Sequence, residues 1–173
     1  MSSPQSPASP VVPADLSRCL VGANPIIWSN DDFEELAGDL PLDRILGEMR
    51  EAGYAGSELG HAYPLTAPEL AAALSRHGLR LVSGWHSSHL ASRPWGEEEQ
   101  AFRAHVNLLR TFGVRVVIVA ECTHCIHGQR AAALGFGDDD RHCLNEVEWA
   151  ALAEGLARLA DIAASEGMQA VYH

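Results

Sequence analysis

The sequence predicts an α/β fold, a partial (β/α)8 barrel of about five βα units. Short apolar runs alternate with helical stretches from residue 20 onward. The run VRVVIVAE at 114–121 is apolar nearly throughout, as expected of a parallel strand covered on both faces. The first run continues into WSNDD at 28–32, without the G-x-G-x-x-G loop of a doubly wound nucleotide-binding sheet. A barrel is therefore favoured over an open sheet.

Each βα unit can be read in order along the chain. The predicted strands occupy the apolar runs 21–30, 55–60, 79–85, 114–121 and 168–173. The predicted helices between them occupy 41–54, 66–78, 97–113 and 146–167. One face of the first helix is apolar at helical spacing, through Leu42, Ile45, Leu46 and Met49.

Glycines and a capping pattern set the predicted helix ends. Gly53 and Gly78 follow the first and second helices, where a left-handed residue commonly ends a helix. Thr66 is the predicted N-cap of the second helix, and Glu69 completes a capping box three residues later.

The chain is short for a closed barrel, which needs eight strands and about 250 residues. It has 173 residues. We therefore expect residues 20–173 to be the N-terminal part of a barrel domain that is truncated after His173. A half-barrel completed by dimerisation is the less favoured alternative, because its open edge would be a long apolar strand prone to aggregation. Residues 1–19 are rich in Ser and Pro and are predicted to be a disordered leader.

Composition excludes several classes of function. The formal net charge of −11 argues against binding to nucleic acid or to an anionic membrane. All 12 basic residues are arginine, which excludes a lysine Schiff base within this chain. No apolar run approaches the ~20 residues of a membrane span, and the N-terminus lacks the pattern of a signal peptide. The four cysteines form no secreted framework, so we expect a cytoplasmic protein with reduced thiols.

The predicted strand ends carry polar and aromatic side chains that suit an active site. In a β/α barrel these ends meet at one rim. Carboxylates and imidazoles there could bind a metal or transfer protons, and aromatic rings could pack against a sugar. The candidates in chain order are Trp28, Ser29, Asn30, Glu58, His61, Trp85, His86, Glu121 and His173. Taken singly, each has a structural alternative, such as a turn cap at Asn30 or a hydrogen-bonded rim histidine at His86.

The fourth strand is followed by ECTHCIH, which contains a C-x-x-C pair. Cys122 and Cys125 could form a tetrahedral zinc site with His127 and Cys143. A lone C-x-x-C without a second pair is a weak signal for such a site. His124 lies between the two cysteines.

Four segments resemble the inosose dehydratases, which belong to the xylose-isomerase-like TIM barrels. They are GANPIIWSNDDFEELAGDLPL, EMREAGYAGSELGH, GLRLVSGWHSSHL and VIVAE followed by IHG. The resemblance runs from about residue 21 to residue 173, and the family's usual chain is nearly twice as long. It implies dehydration of scyllo-inosose, a polyol-ketone also called 2-keto-myo-inositol, to a trihydroxycyclohexane-1,2-dione in inositol catabolism. It also implies a divalent metal such as manganese or cobalt, and glutathione, as cofactors.

For this reaction the resemblance and the strand ends together suggest roles. We expect Glu58, His86 and Glu121 to be catalytic, and His173 to be a metal ligand. Substrate contacts are expected from Trp28, Ser29, Asn30, His61 and Trp85. In related barrels the principal metal ligands come from about the fifth strand onward, so we expect this chain alone to be inactive. A homo-oligomer is also expected.

Two other functions stay open at this point. A sugar isomerase or epimerase on the same barrel would share the enolate chemistry but return the proton instead of expelling hydroxide. A non-catalytic zinc-binding module would be centred on the C-x-x-C loop.

Overall fold

Five parallel strands lie side by side in one sheet, and their order in the sheet is their order along the chain. The structure is a computed structural model that describes residues 19–33, 39–126, 129 and 142–173. The strands are β1 (Gly22–Ala23), β2 (Gly56–Leu59), β3 (Arg80–Ser88), β4 (Val116–Glu121) and β5 (Gln169–Tyr172). A doubly wound sheet would reverse its strand order part-way, whereas a β/α barrel keeps it. The predicted partial barrel is therefore confirmed.

Within the part of the chain that the structure describes, four α-helices connect the strands. They are α1 (Leu42–Glu51), α2 (Ala67–Arg76), α3 (Trp95–Thr111) and α4 (Glu146–Ser165). On α1, the side chains of Ile45, Leu46 and Met49 are fully buried and Leu42 packs at the edge of the core. The apolar face predicted for this helix is confirmed, because residues three and four positions apart share one side of a helix.

The predicted helix ends at the two glycines are also confirmed. Gly53 has φ +91° and Gly78 has φ +64°. Only glycine adopts such left-handed conformations without a steric cost, so these positions end α1 and α2.

The capping prediction is right in position and wrong in detail. Thr66 is the N-cap of α2, but its hydroxyl donates to the Glu69 carboxylate and makes no bond to the helix backbone. A complete capping box instead begins α4, where Asn145 and Glu148 each accept a backbone N–H from the other. The two acceptors at Asn145 and Glu148 satisfy backbone donors that an isolated helix end leaves free.

The first strand is much shorter than the predicted run 21–30. Pairing stops at Ala23, and Pro25–Ile27 forms a 3₁₀ turn. Pro25 has no N–H to donate to a strand ladder, and the Asn24 side chain accepts the Ile26 N–H at 2.9 Å. A proline in an apolar run therefore ended the strand early.

The apolar core lies between the sheet and the helices. Fully buried side chains include Leu70 on α2, Phe102 and Leu109 on α3, Val117 on β4 and Leu159 on α4. None of the helices within the described ranges is long and apolar enough to cross a membrane. The predicted leader lies outside the described residues except for Cys19.

Candidate active site at the carboxyl ends of the strands

A cavity of about 530 Å³ opens where the strands end. Its polar and aromatic lining comes from the loops after β1 and β4, from the carboxyl-terminal parts of β2, β3 and β4, and from His173 after β5. The lining residues of these kinds are Asn24, Asp31, Asp32, Glu58, Trp85, Ser87, Glu121, Cys122, Cys125 and His173. Parallel strands bring their carboxyl ends to one edge, which is why residues far apart in sequence meet here.

Glu58 is a buried carboxylate in this cavity, with only 7% of its surface exposed. Asn24 Nδ2 donates to Glu58 Oε1 at 2.6 Å, and Ser83 Oγ donates to Glu58 Oε2 at 2.5 Å. Asn24 directly follows β1 and Ser83 lies in the middle of β3, and these two strands are the neighbours of β2. Both oxygens are thus held in one orientation, with remaining lone pairs available to a ligand.

Glu121 ends β4 and is held largely by backbone amides. Its Oε2 accepts the Leu90 N–H at 2.8 Å and the Ser88 hydroxyl at 3.2 Å. Its Oε1 accepts the Thr123 N–H at 3.0 Å. Backbone donors are rigid, so they fix this carboxylate more firmly than flexible side chains would.

Trp85 and His173 form an aromatic wall in the same cavity. Their ring centroids are 4.8 Å apart with an interplanar angle of 61°. Trp85 Nε1 donates to Ser87 Oγ at 3.1 Å, which orients the indole. An indole of this kind offers an apolar face to the carbon skeleton of a ring-shaped ligand.

A family model described as xylose isomerase-like TIM barrel matches residues 32–173. The chain belongs to the xylose isomerase-like TIM barrel family. An inosose dehydratase of Geobacillus thermodenitrificans is 40% identical to it over 157 residues, which are 91% of this chain and 52% of the relative. An inosose dehydratase of Clostridium perfringens is 38% identical over the same shares. The resemblance predicted from the sequence is confirmed, and the chain spans about half the length of the curated relatives it matches.

Solved structures of this family share the fold. A xylose isomerase-like TIM barrel protein from Mycobacterium smegmatis, in complex with magnesium, matches with a TM-score of 0.62 at 16% identity, over 88% of this chain and 54% of its own. A D-allulose 3-epimerase from Methylomonas sp., in complex with D-allulose, matches with a TM-score of 0.56 at 18% identity, over 87% and 49%. At these identities the likeness shows the fold alone.

His86 does not line the cavity. Successive strand residues point to opposite faces, so Trp85 and Ser87 face the cavity while His86 faces helix α3. Its Nε2 lies 2.7 Å from Glu98 Oε1. Burial lowers the pKa of His86 below its usual value, although the Glu98 carboxylate acts in the opposite direction. The imidazole we expected to be catalytic is thus packed behind the sheet.

The three residues predicted at the end of the first strand also lie outside the cavity. Trp28 Nε1 donates to Glu48 Oε2 at 2.9 Å, which holds the indole against α1. Ser29 is buried. The Asn30 side chain accepts two backbone N–H groups, from Asp32 at 2.9 Å and from Phe33 at 2.8 Å. These contacts are those of a turn cap, which was the structural alternative for Asn30.

His61 reaches the cavity only through a neighbour. Its Nδ1 lies 2.6 Å from Asp31 Oδ1, and Asp31 lines the cavity. The predicted residues therefore divide into two groups. Glu58, Trp85, Glu121 and His173 meet at the cavity, whereas the other five do not line it.

Two functional-looking residues were missed by sequence reasoning. Asn24 directly follows β1 and donates to Glu58, but the apolar run beyond it hid the strand end. Glu98 lies in the first turn of α3 and was not among the predicted site residues, yet it is fully buried. The Pro25 breaker could have revealed Asn24. Helical spacing could have indicated Glu98, which precedes the buried Phe102 by four residues, whereas the exposed Glu97 does not share that face.

The thiols and imidazoles beyond β4 separate into two places. Cys122 and Cys125 line the cavity, and burial together with Cys122 raises the pKa of Cys125 to about 11. Cys143 is exposed, and His127 of the predicted zinc set lies outside the described residues. Within the described part of the chain, one set of three potential metal ligands has its donor atoms close together: His124, His142 and Glu148. It contains no cysteine.

The described cavity residues do not by themselves form the divalent-metal site that the family resemblance implies. Among the described residues, no three potential ligands that line the cavity have donor atoms within 4.8 Å of one another. Each oxygen of Glu58 and Glu121 accepts a hydrogen bond from a protein donor, which leaves fewer lone pairs for a metal. His173 remains a predicted metal ligand. Together with Glu58 and Glu121 it does not complete a metal site.

Proposed function

We propose that this chain forms the N-terminal half of an inosose dehydratase active site, which dehydrates scyllo-inosose to a trihydroxycyclohexane-1,2-dione. The main support is the 40% identity over 91% of the chain to a relative with that name. The cavity supports it independently, since it combines the hydrogen-bonded carboxylates of Glu58 and Glu121 with an aromatic wall. Polyol-ketones need both polar partners and an apolar face.

The two carboxylates are the proposed acid–base pair. One takes the proton from the carbon α to the ketone, which leaves an enolate. The other, in its protonated form, gives a proton to the β-hydroxyl as that group departs as water. The resulting enol tautomerises to the dione, so atoms and charges balance. Glu58 and Glu121 lie at the ends of β2 and β4, on either side of Trp85 on β3.

Trp85 is the proposed platform for the six-membered ring. His173 packs against this indole and is also the proposed metal ligand. A manganese or cobalt ion would stabilise charge on the ketone oxygen. Because the described cavity residues do not form its site, we propose that its other ligands belong to the part of the relatives' length that this chain does not cover. Glutathione stays a proposed cofactor, to be tested by addition to the assay.

His86 and His61 have indirect roles in this proposal. His86 would hold the end of β3 through Glu98, and His61 would orient Asp31 at the rim. Each is therefore a positioning residue. Trp28, Ser29 and Asn30 would shape the loop that carries Asp31 and Asp32.

The test is a chimera that joins residues 19–173 to the remaining C-terminal part of the Geobacillus thermodenitrificans relative. We expect the chimera to form the dione from scyllo-inosose with manganese or cobalt, and the 173-residue chain alone to form none. Glu58→Gln and Glu121→Gln should each lower kcat by roughly 10²- to 10⁴-fold. The matched control is Glu69→Gln, which changes an exposed carboxylate on α2 and should keep full activity.

A chimera that has the circular dichroism of an α/β protein but makes no dione would contradict the proposal. A product that is a stereoisomer of the ketone, without loss of water, would favour the epimerase alternative instead. Activity of the 173-residue chain alone would contradict the expectation that it is inactive.

A further inference from the structure

Three side chains that could bind a metal ion lie close together outside the cavity lining, in the loop after β4 and at the start of α4. They are His124, His142 and Glu148, and none of the three lines the cavity. Their potential ligand atoms all lie within 4.8 Å of one another. The cluster joins two segments that are 18 residues or more apart in the sequence.

The two imidazoles approach the same carboxylate. His124 Nε2 lies 3.0 Å from Glu148 Oε1, and His142 Nε2 lies 3.1 Å from both Glu148 oxygens. Their ring centroids are only 3.5 Å apart, with an interplanar angle of 33°. Two protonated imidazoles would repel each other at this distance, whereas two neutral ones can turn their Nε2 lone pairs toward a shared cation.

We propose that His124, His142 and Glu148 bind a divalent transition metal of the zinc class, which ties the loop after β4 to the first turn of α4. Two imidazoles and one carboxylate are a common protein ligand set for zinc. Magnesium and calcium prefer oxygen ligands and fit this set poorly.

The distances suit a tetrahedral site. Zinc bonds of about 2.0–2.2 Å to nitrogen and oxygen place neighbouring ligand atoms roughly 3.3 Å apart. The nitrogen-to-oxygen separations of 3.0 and 3.1 Å are already close to that value. Both imidazoles are exposed, so their side chains can rotate apart to complete the site, and a water molecule can take the fourth position.

The carboxylate is oriented before any metal binds. The Asn145 backbone N–H donates to Glu148 Oε2 at 2.8 Å as part of the α4 capping box. An outer hydrogen bond of this kind fixes a ligand and typically changes metal affinity by 10- to 100-fold. The helix cap therefore also supports the metal site.

The site has a structural role in this proposal. Cys122 and Cys125 line the cavity on either side of His124 in the sequence. A metal that fastens His124 to α4 would hold this part of the cavity wall in place. The inference does not rest on the proposed dehydratase activity.

The test is zinc binding by the purified, metal-stripped 173-residue chain, measured by calorimetry. We expect about one zinc ion per chain, a higher melting temperature with zinc, and a tetrahedral visible spectrum with cobalt(II). His124→Ala combined with His142→Ala should weaken binding by roughly 100-fold or more, since loss of an outer partner alone costs 10- to 100-fold.

Two control variants make the result specific. His77→Ala removes an imidazole that pairs with the Asp43 carboxylate at 2.8 Å, and it should leave zinc binding unchanged. Cys122→Ser combined with Cys125→Ser should also retain zinc. Absence of saturable zinc binding, wild-type affinity in the double histidine variant, or loss of zinc only in the double cysteine variant would each overturn the proposal.

Discussion

His86 Nε2 and Glu98 Oε1 are 2.7 Å apart and buried between β3 and α3. The same carboxylate accepts a bond from Arg93 Nη1 at 2.9 Å and from the His89 backbone N–H at 3.2 Å. One fully buried acid therefore ties the end of β3 to the loop that follows it and to the first turn of α3. Glu98 therefore stabilises the face of β3 that is opposite to the face carrying Trp85.

Glu98 should contribute strongly to stability. Glu98→Ala leaves the His86 and Arg93 side chains without their carboxylate partner, and breaking a buried pair typically costs about 3–5 kcal/mol. We expect the free energy of unfolding in urea to fall by about 3 kcal/mol. Glu97→Ala, one position earlier on the same turn and exposed, should change it by less than about 0.5 kcal/mol. Equal effects of the two substitutions would contradict the role of Glu98.

Stability should decrease as the pH falls below about 6.5. Burial, followed by the nearby His86, lowers the pKa of His105 to about 4, and burial also lowers the pKa of His86. The unfolded chain then binds protons that the folded chain does not, between about pH 6.5 and 4. The free energy of unfolding is expected to lose up to about 1.4 kcal/mol per pH unit for each such histidine.

Urea unfolding between pH 7 and pH 4.5 measures this slope. His105→Gln should flatten it, because the amide does not titrate. A slope that is unchanged in the His105 variant would exclude His105 as a cause.

Trp85 and Trp28 should behave differently, although the sequence assigned both to substrate contact. In the chimera described above, Trp85→Leu should raise KM for scyllo-inosose about tenfold, since the cavity loses its aromatic wall. Trp28→Phe removes the bond to Glu48 and should lower stability by about 1 kcal/mol without changing KM. A raised KM in the Trp28 variant would return that residue to the substrate site.

The cysteines should differ in their rates of alkylation. The raised pKa of Cys125, about 11 compared with an ordinary 9.0, reduces its thiolate fraction roughly 100-fold at neutral pH. We expect iodoacetamide to modify the exposed Cys19 well before Cys125, as measured by mass spectrometry of peptides over time. In urea the two rates should become similar. Faster modification of Cys125 in the folded chain would contradict its burial at the cavity.

Much of the architecture could be predicted because it depends on local patterns. The apolar spacing on α1 and the glycines after α1 and α2 act within one or two helical turns. The error at the first strand came from a proline inside an apolar run, where the loss of one N–H outweighed the hydrophobic pattern. The capping box at α4 was readable in the sequence but was not predicted.

The site was predicted less well, because its members depend on which face of each strand points inward. Trp85 and His86 are neighbours in the sequence and lie on opposite sides of the sheet. Asn24 joins the site only because β1 lies beside β2, which brings its amide to Glu58.

The sequence by itself determined the alternation of strands and helices, the family, and the carboxylates at the ends of β2 and β4. The alternation follows from periodicity and the carboxylates from the ends of the apolar runs, whereas the family follows from the resemblance of four sequence segments. Only the tertiary structure decided that Glu98 is buried against His86 and that His124 and His142 share Glu148. The reason is that these contacts arise from tertiary packing. Packing brings together groups that are far apart in the chain, and their spacing in the sequence does not predict that they meet.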